Sequence, residues 1–176
     1  MNAALRLSWY KFKHHYMDFV KVLLGIVAFE GLILYIQDKG FLKDFETTRM
    51  TLFLLLFSTS LLIVVQNSIY ISKERSVLNR DFFSGLSRSA FALASMGIHA
   101  FFAVLETIVF ILSYSVFSKF FDKEFPDAGH IFGSYRWEVG ITVLLVFLAS
   151  HFIALFISAL VGKSEITSVI LAVVVG

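Results

Sequence analysis

Two acidic side chains interrupt long apolar stretches of this sequence. Glu30 lies between Val20 and Ile36, where the only other charged residue is Lys21, and Glu106 is the one charged residue between 90 and 118. A carboxylate is costly in an apolar environment and usually faces the interior of a helix bundle. These two carboxyls are therefore candidates for a substrate contact, a proton relay or a polar network between helices. The alternative is a protonated or hydrogen-bonded carboxyl with a structural role.

Three further polar residues within the apolar stretches are candidates for a role. His99 precedes Glu106 by seven residues, which places both on one helical face, although a lone histidine near the end of an apolar segment is more often structural. Gln66 and Asn67 lie close to the end of their stretch, where amides more often pack helices together than bind a ligand. With Glu30 and Glu106, they are our candidates for an intramembrane polar network or substrate path.

The motifs of an enzyme or of a metal site are missing from the sequence. No phosphate-binding Gly-x4-Gly-Lys-Ser/Thr loop occurs, since the nearest string, at Gly162, lacks the upstream glycine. With no Cys, the chain has neither a disulfide nor a thiolate metal site. His14 and His15 are adjacent, so on a helix they point about 100° apart and cannot comfortably bind one metal. We therefore predict a chain that is not an enzyme and binds no metal or cofactor directly.

The elements that position these residues are read from the apolar blocks. The chain has 176 residues, of which 58% are hydrophobic and 16% charged, and its mean hydropathy is +0.82. Soluble domains average about 45–50% apolar and about 25% charged residues. Four blocks reach or approach the roughly 20 residues that a helix needs to cross a bilayer. Such a composition excludes a disordered chain and favours a membrane protein with several spans.

The predicted fold is an all-α polytopic transmembrane helical bundle with an N-terminal amphipathic interfacial helix. The interfacial helix is predicted because residues 5–17 mix aromatic, aliphatic and basic side chains, as helices in the headgroup layer do. In chain order we expect that helix at 5–17, spans at 19–37 and 50–71, a cytoplasmic helix at 72–89, a span at 90–118, an outer loop at 119–138, a span at 139–161 and the start of a fifth span at 166–176.

The distribution of basic residues predicts a cytoplasmic N-terminus. With that orientation, nine of the 15 Lys and Arg residues lie on the cytoplasmic side, counting Lys21 at the end of the first span. Cytoplasmic loops of membrane proteins carry such an excess. The net charge of +2 is thus distributed between two sides of a membrane and does not indicate a nucleic-acid partner.

The segment between the second and third spans is short, charged and compatible with an amphipathic helix. Ser72 can cap this helix, Arg75 and Asn79 lie one turn apart, and Gly85 ends or bends it. A helix tied at both ends to spans can act as a lever that moves two spans together. The alternative is a solvated loop whose cations only fix the topology.

The same segment carries a motif, Glu74-Arg75-x4-Arg80-Asp81-x3-Gly85-Leu-Ser-Arg-Ser-Ala-Phe91. It resembles the signature E-[KR]-x4-R-[ED]-x3-G-x-(small)-x3-[YF] of the ABC-2 type transporter permeases, including the G-subfamily half-transporters. The order of spans is also similar over the rest of the chain. Asp81 departs from the pattern, because the family usually has Glu at this position.

This resemblance implies the permease part of an ATP-driven exporter. It implies that Glu74, Arg75, Asn79, Arg80 and Asp81 contact an ABC ATPase domain or subunit, which binds ATP and Mg²⁺. It also implies a second permease domain, an integral location in the bacterial inner (plasma) membrane, and an amphiphilic, lipid or glycan substrate. Since the family has six spans, we expect the sequence to be a partial permease that stops within span five.

Two other functions remain open at this point. An ion-coupled secondary carrier would use Glu30 and Glu106 as titrating carboxyls and would need no ATPase. A non-transporting membrane scaffold would use neither.

Overall fold

The structure is a computed structural model that describes residues 10, 16–37, 45–73, 75–122, 131, 133–161 and 165–175. In these ranges the chain forms seven helices and no strand, which confirms the predicted all-α bundle. The helices are α1 (Tyr16–Ile36), α2 (Phe45–Asn67), α3 (Tyr70–Lys73), α4 (Arg75–Phe83), α5 (Arg88–Phe120), α6 (Tyr135–Leu160) and α7 (Glu165–Val175).

The four long helices form a bundle in which successive helices alternate in direction, so that α1 and α5 run parallel, with Phe19 beside Phe102 and Glu30 beside Ser113. α1 packs against α2 and α5, and α6 packs against the same two helices on the other side. The short helix α3 lies on α6, and α7 lies on α2 and α6. The end of α2, the helices α3 and α4, the start of α5 and the end of α6 therefore lie together, at what we call the α4 end of the bundle.

The buried positions follow the helical repeat and place both intramembrane acids inside. On α1 the buried residues are Val22, Ile26, Glu30 and Leu34, which recur every fourth residue and so form one stripe. On α5 the buried stripe runs from Phe91 to Ser118 and includes both His99 and Glu106. The helical repeat thus points these polar side chains toward neighbouring helices rather than outward.

The outer faces of the long helices are apolar. Large side chains such as Leu24, Leu112, Leu145 and Phe156 are exposed on them. Four helices, α1, α2, α5 and α6, are long and apolar enough to cross a membrane by length and composition. An apolar core together with an apolar outer surface is the pattern expected of a bundle that lies in lipid.

The boundaries differ from the predicted ones mainly after the second long helix. A continuous span to residue 71 was predicted, whereas α2 ends at Asn67 and a turn at 68–69 leads into α3. The Asn67 amide donates to the Ile63 carbonyl at 2.9 Å, and the Ser68 hydroxyl donates to the Val65 carbonyl at 2.8 Å. Polar side chains that bond to nearby carbonyls compete with the helical backbone, which explains a break without Gly or Pro.

Several predicted features lie outside the described residues. They include most of the interfacial helix at 5–17, the central part of the outer loop at 123–130, and Glu74 of the motif. Arg75 begins α4, but its side chain also lies outside the described part.

Candidate coupling site

The exposed polar residues of the motif lie on α4. Asn79 and Arg80 are exposed, whereas Leu78 on the opposite face is buried at 2% exposure. The Arg80 Nε atom lies 4.0 Å from Asp81 Oδ1, at the limit of an ion pair, and the arginine side chain is 81% exposed. An exposed pair of this kind contributes little to stability. The charged face of α4 is therefore available to a partner, while Leu78 anchors the helix to the bundle.

The C-terminal end of α4 is closed by a Schellman motif. The Leu86 N–H donates to the Asp81 carbonyl at 3.0 Å, and the Gly85 N–H donates to the Phe82 carbonyl at 3.2 Å. Gly85 has φ of +103°, a conformation that side-chain-bearing residues rarely adopt. The chain then turns at once into α5, which Ser87 caps through a long contact of 3.5 Å from the Ala90 N–H. The connection between α4 and α5 is thus short and geometrically defined.

Aromatic contacts hold α4 against the start of α5. The Phe82 and Phe91 rings meet edge to face with centroids 5.9 Å apart, and the Arg88 guanidinium lies 5.6 Å from the Phe82 centroid. Aromatic pairs contribute about 0.5–1.5 kcal/mol beyond their buried area. A displacement of α4 would therefore act on α5 through packed side chains as well as through the chain connection.

The short helix α3 is tied to both α5 and α6. The Tyr70 ring packs edge to face on the His99 ring of α5, with centroids 4.9 Å apart. The Ile71 N–H donates to the Ser158 hydroxyl of α6 at 2.8 Å. Since α3 directly precedes α4, these two contacts connect the exposed motif to the membrane-spanning helices.

His99 belongs to a buried chain of three polar side chains, which we call the His–His–Glu chain: His99, His151 and Glu106. The Nδ1 atoms of His99 and His151 are 3.0 Å apart, and His151 Nε2 lies 2.8 Å from Glu106 Oε2. All three side chains are at most 1% exposed. The predicted shared face of His99 and Glu106 therefore exists, but His151 of α6 bridges the two residues.

The His–His–Glu chain has two consistent proton arrangements. If Glu106 is ionised, His151 donates from Nε2 to the carboxylate and accepts at Nδ1 from His99. If Glu106 is protonated, it donates to His151 Nε2, and His151 then donates from Nδ1 to His99. The two nitrogens of His151 point to different partners, and no group of described His, Asp and Glu residues has an arrangement that could hold a metal ion. The His–His–Glu chain can thus transfer or hold a proton, and its hydrogen bonds join α5 to α6.

Glu30 takes part in a separate contact. Its carboxyl hydrogen-bonds with the Ser113 hydroxyl, which joins α1 to α5. Ser113 also lies 2.8 Å from the Val109 carbonyl of its own helix. Neither residue contacts the His–His–Glu chain, so the structure does not bring the two intramembrane acids together.

Gln66 and Asn67 also lie apart from the His–His–Glu chain. Asn67 bonds to its own helix, and Gln66 is half-buried near the end of α2. The sequence analysis missed His151, Tyr70, Ser113 and Ser158. His151 could have been found as the one titratable residue in the uncharged block at 139–162. The other three are ordinary residues whose role depends on the packing.

Comparison with known proteins identifies one family. The model of the family described as ABC-2 type transporter matches residues 6–176, almost the whole chain. No curated protein and no solved structure matches the chain significantly.

Proposed function

The chain belongs to the ABC-2 type transporter family and is an integral membrane permease component, and on that premise we propose that ATP hydrolysis in a partner drives export through it. The proposed partner is an ABC ATPase domain or subunit, which binds ATP and Mg²⁺. A second permease domain would complete the pathway. The proposed orientation has the N-terminus in the cytoplasm of a bacterial inner membrane.

The observation that carries this proposal is the position of α3 and α4. The exposed face of α4 presents Asn79 and Arg80, with Asp81 partly buried beside them, and the resemblance of the motif adds Glu74 and Arg75 as further contacts to the ATPase. On the other side, Leu78 and Phe82 of α4 pack inward. A helix that offers charge to a partner and an apolar face to the spans suits the transmission of a mechanical displacement.

The displacement would reach the interior of the bundle through α3. When the ATPase closes, it would push α4, and the contacts of Tyr70 and Ile71 would carry the movement to α5 and α6. The His–His–Glu chain lies directly behind Tyr70 and links those two helices. A coupling free energy of about 1–3 kcal/mol between two sites is typical of allosteric proteins. Alternating access would follow from a change in the relative position of α5 and α6 in the two permease domains.

The substrate is proposed only by class. Exporters of this family take amphiphiles, lipids or glycans, and the apolar outer surface allows a substrate to approach from the bilayer. We place the pathway between the two permease domains, with the polar groups inside each bundle as structural and coupling elements.

A proton-coupled carrier is the second candidate, because a hydrogen-bonded His–His–Glu chain is what proton transfer requires. Glu30 lies outside this chain in the described part of the structure, so a continuous path through both acids has no support. Proton uptake by the purified chain in vesicles without an ATPase would favour the carrier.

The test of the proposed function is a comparison of two arginine variants. Three forms are purified from native membranes, each with any ABC ATPase that accompanies it. They are the wild type, Arg80→Ala and the matched control Arg136→Ala, which lies at the exposed start of α6. We expect an ATPase to co-purify with the wild type and with Arg136→Ala, and its association or its turnover to fall on Arg80→Ala. Equal association and turnover in all three would contradict the proposal.

A further inference from the structure

An apolar cavity opens at the α4 end of the bundle, between α4, α5 and α6. Its volume is about 480 Å³, within the range of about 300–1,000 Å³ usual for small-molecule sites. Most of the lining is apolar and aromatic: Phe91, Met96, Phe152, Leu155, Phe156 and Ala159. The cavity lies at the membrane-facing surface of the bundle, since Phe156 and Ala159 are also exposed on the outside of α6.

A smaller and more polar recess adjoins this cavity. Its volume is about 130 Å³, and it shares Asn79, Phe82 and Arg88 with the larger cavity. The two spaces thus meet at a guanidinium and an amide, with apolar lining on one side and polar surface on the other. This division matches a molecule that has an apolar tail and a polar head.

The charge at the junction favours an anionic head. Arg88 is the one charged residue among the described lining of both spaces, and no described acid lies within 4.0 Å of its guanidinium. Arg88 also begins α5, a helix of 33 residues, whose first backbone N–H groups attract negative charge. The cation–π contact with Phe82 holds the guanidinium at the mouth of the cavity.

A buried hydroxyl inside the cavity points to a ligand acceptor. Ser95 lines the apolar cavity, is 2% exposed, and its Oγ has no hydrogen-bond partner in the described structure. A buried hydroxyl without a partner is costly, and most such groups in proteins are satisfied. An ester carbonyl at the upper end of an acyl chain would accept this hydrogen bond.

From these observations we propose that the cavity binds one anionic phospholipid of the adjacent leaflet. An acyl chain would occupy the space between α5 and α6, its ester carbonyl would accept from Ser95, and the phosphate would lie against Arg88 and Asn79. Basic residues between membrane helices bind anionic headgroups in this way. The lipid would fill the joint between α4 and the spans. Arg80 and Asp81 line neither space, so an ATPase can dock on them whether or not the lipid is bound, whereas Asn79 borders both surfaces.

The test is lipid retention by the purified chain, measured by native mass spectrometry. The chain is purified in detergent micelles and mixed with equal amounts of phosphatidylglycerol and phosphatidylcholine. The detergent is then removed from the protein in the mass spectrometer. We expect one phosphatidylglycerol to be retained in preference to phosphatidylcholine. Arg88→Gln should lower this preference about fivefold, the effect of one basic residue close to an anionic headgroup.

Three further variants make the result decisive. Ala159→Phe fills the apolar cavity and should remove retention of either lipid, whereas the control Ala149→Phe, at an exposed position on the same helix, should not. Arg80→Gln removes a charge from the opposite, exposed face of α4 and should change the preference less than twofold. Equal losses on Arg80→Gln and Arg88→Gln, or full retention on Ala159→Phe, would overturn the proposal. Because no ATPase is present, neither outcome depends on the proposed coupling.

Discussion

His99 and His151 face each other across the interface of α5 and α6, with their Nδ1 atoms 3.0 Å apart. At this distance one of the two nitrogens must carry a proton and the other must not, because two donors would repel each other and two acceptors would form no hydrogen bond. The proton on one ring therefore fixes the tautomer of the other, and through His151 it fixes the donor at Glu106. A change in the packing of α5 against α6 would disturb all three groups together.

The central position of His151 leads to a prediction about stability. We expect His151→Ala to lower the free energy of unfolding by about 1–3 kcal/mol, because it leaves the inner nitrogen of His99 and the Glu106 carboxyl without their partner. Thermal or denaturant unfolding of the detergent-purified chain measures this change. The control Leu145→Ala, at an exposed position of the same helix, should stay within about 0.5 kcal/mol of wild type. Equal effects of the two substitutions would contradict a hydrogen-bonded role for His151.

The separation of the two acids predicts which pairs of substitutions are coupled. Glu106→Gln and His151→Gln should be non-additive in the free energy of unfolding, with an interaction of about 0.5–3 kcal/mol, because the residues are in contact. Glu30→Gln and His151→Gln should add within about 0.5 kcal/mol, since Glu30 bonds to Ser113 and shares no partner with His151. Unfolding of the three single variants, the two double variants and the wild type completes both cycles. Strong coupling between Glu30 and His151 would instead support one polar path through both acids.

The bond from Ile71 to Ser158 predicts a variant that separates association from turnover. Ser158→Ala removes the acceptor of the Ile71 N–H, which should loosen α3 from α6 at a cost of about 1 kcal/mol. If α3 carries the movement, turnover by the associated ATPase should fall about fivefold, with unchanged association. Ser150→Ala is the matched control, because the Ser150 hydroxyl bonds to the Val146 carbonyl of its own helix. A similar fall in both variants, or in neither, would argue against transmission through α3.

Two glycines offer a test of the joint between α4 and α5. Gly85 has φ of +103°, so Gly85→Ala should cost about 1–2 kcal/mol, even though nothing lies within 4 Å of the added methyl group. Gly97→Ala, in the exposed middle of α5, also meets nothing within 4 Å and should be neutral or stabilising, since Ala favours the helix. Unfolding midpoints of the two variants are compared under the same conditions. Equal midpoints would contradict the Schellman geometry at Gly85.

The sequence predicted the long helices because each apolar block is long enough to span a bilayer and has few charges. It also predicted a charged helix at 72–89, since the polar residues there interrupt two uncharged blocks, and the structure has the two short helices α3 and α4 in this region. The break after Asn67 was not predicted, because the side-chain bonds of Asn67 and Ser68 to their own carbonyls leave no Gly or Pro signal.

The composition of the polar network could be predicted only in part. The spacing of His99 and Glu106 placed both residues on one face of one helix. The bridge through His151 depends on how α5 packs against α6, over a separation of 45 residues between Glu106 and His151. The contact of Tyr70 with His99 likewise depends on the fold of α3 against the bundle. Residue spacing within a helix does not determine these contacts.

The most direct measurement of the coupling account is a photo-cross-link from α4. Phe83 is 94% exposed on α4, and Phe120 is 85% exposed at the opposite end of α5. Because both side chains are exposed, either residue can be replaced by the larger p-benzoylphenylalanine without disturbing the core. In complexes that contain an ABC ATPase, we predict that position 83 cross-links to the ATPase and that position 120 does not. A co-purifying ATPase that cross-links from position 120, or that never cross-links from position 83, would contradict the role of α4 as the ATPase-docking helix.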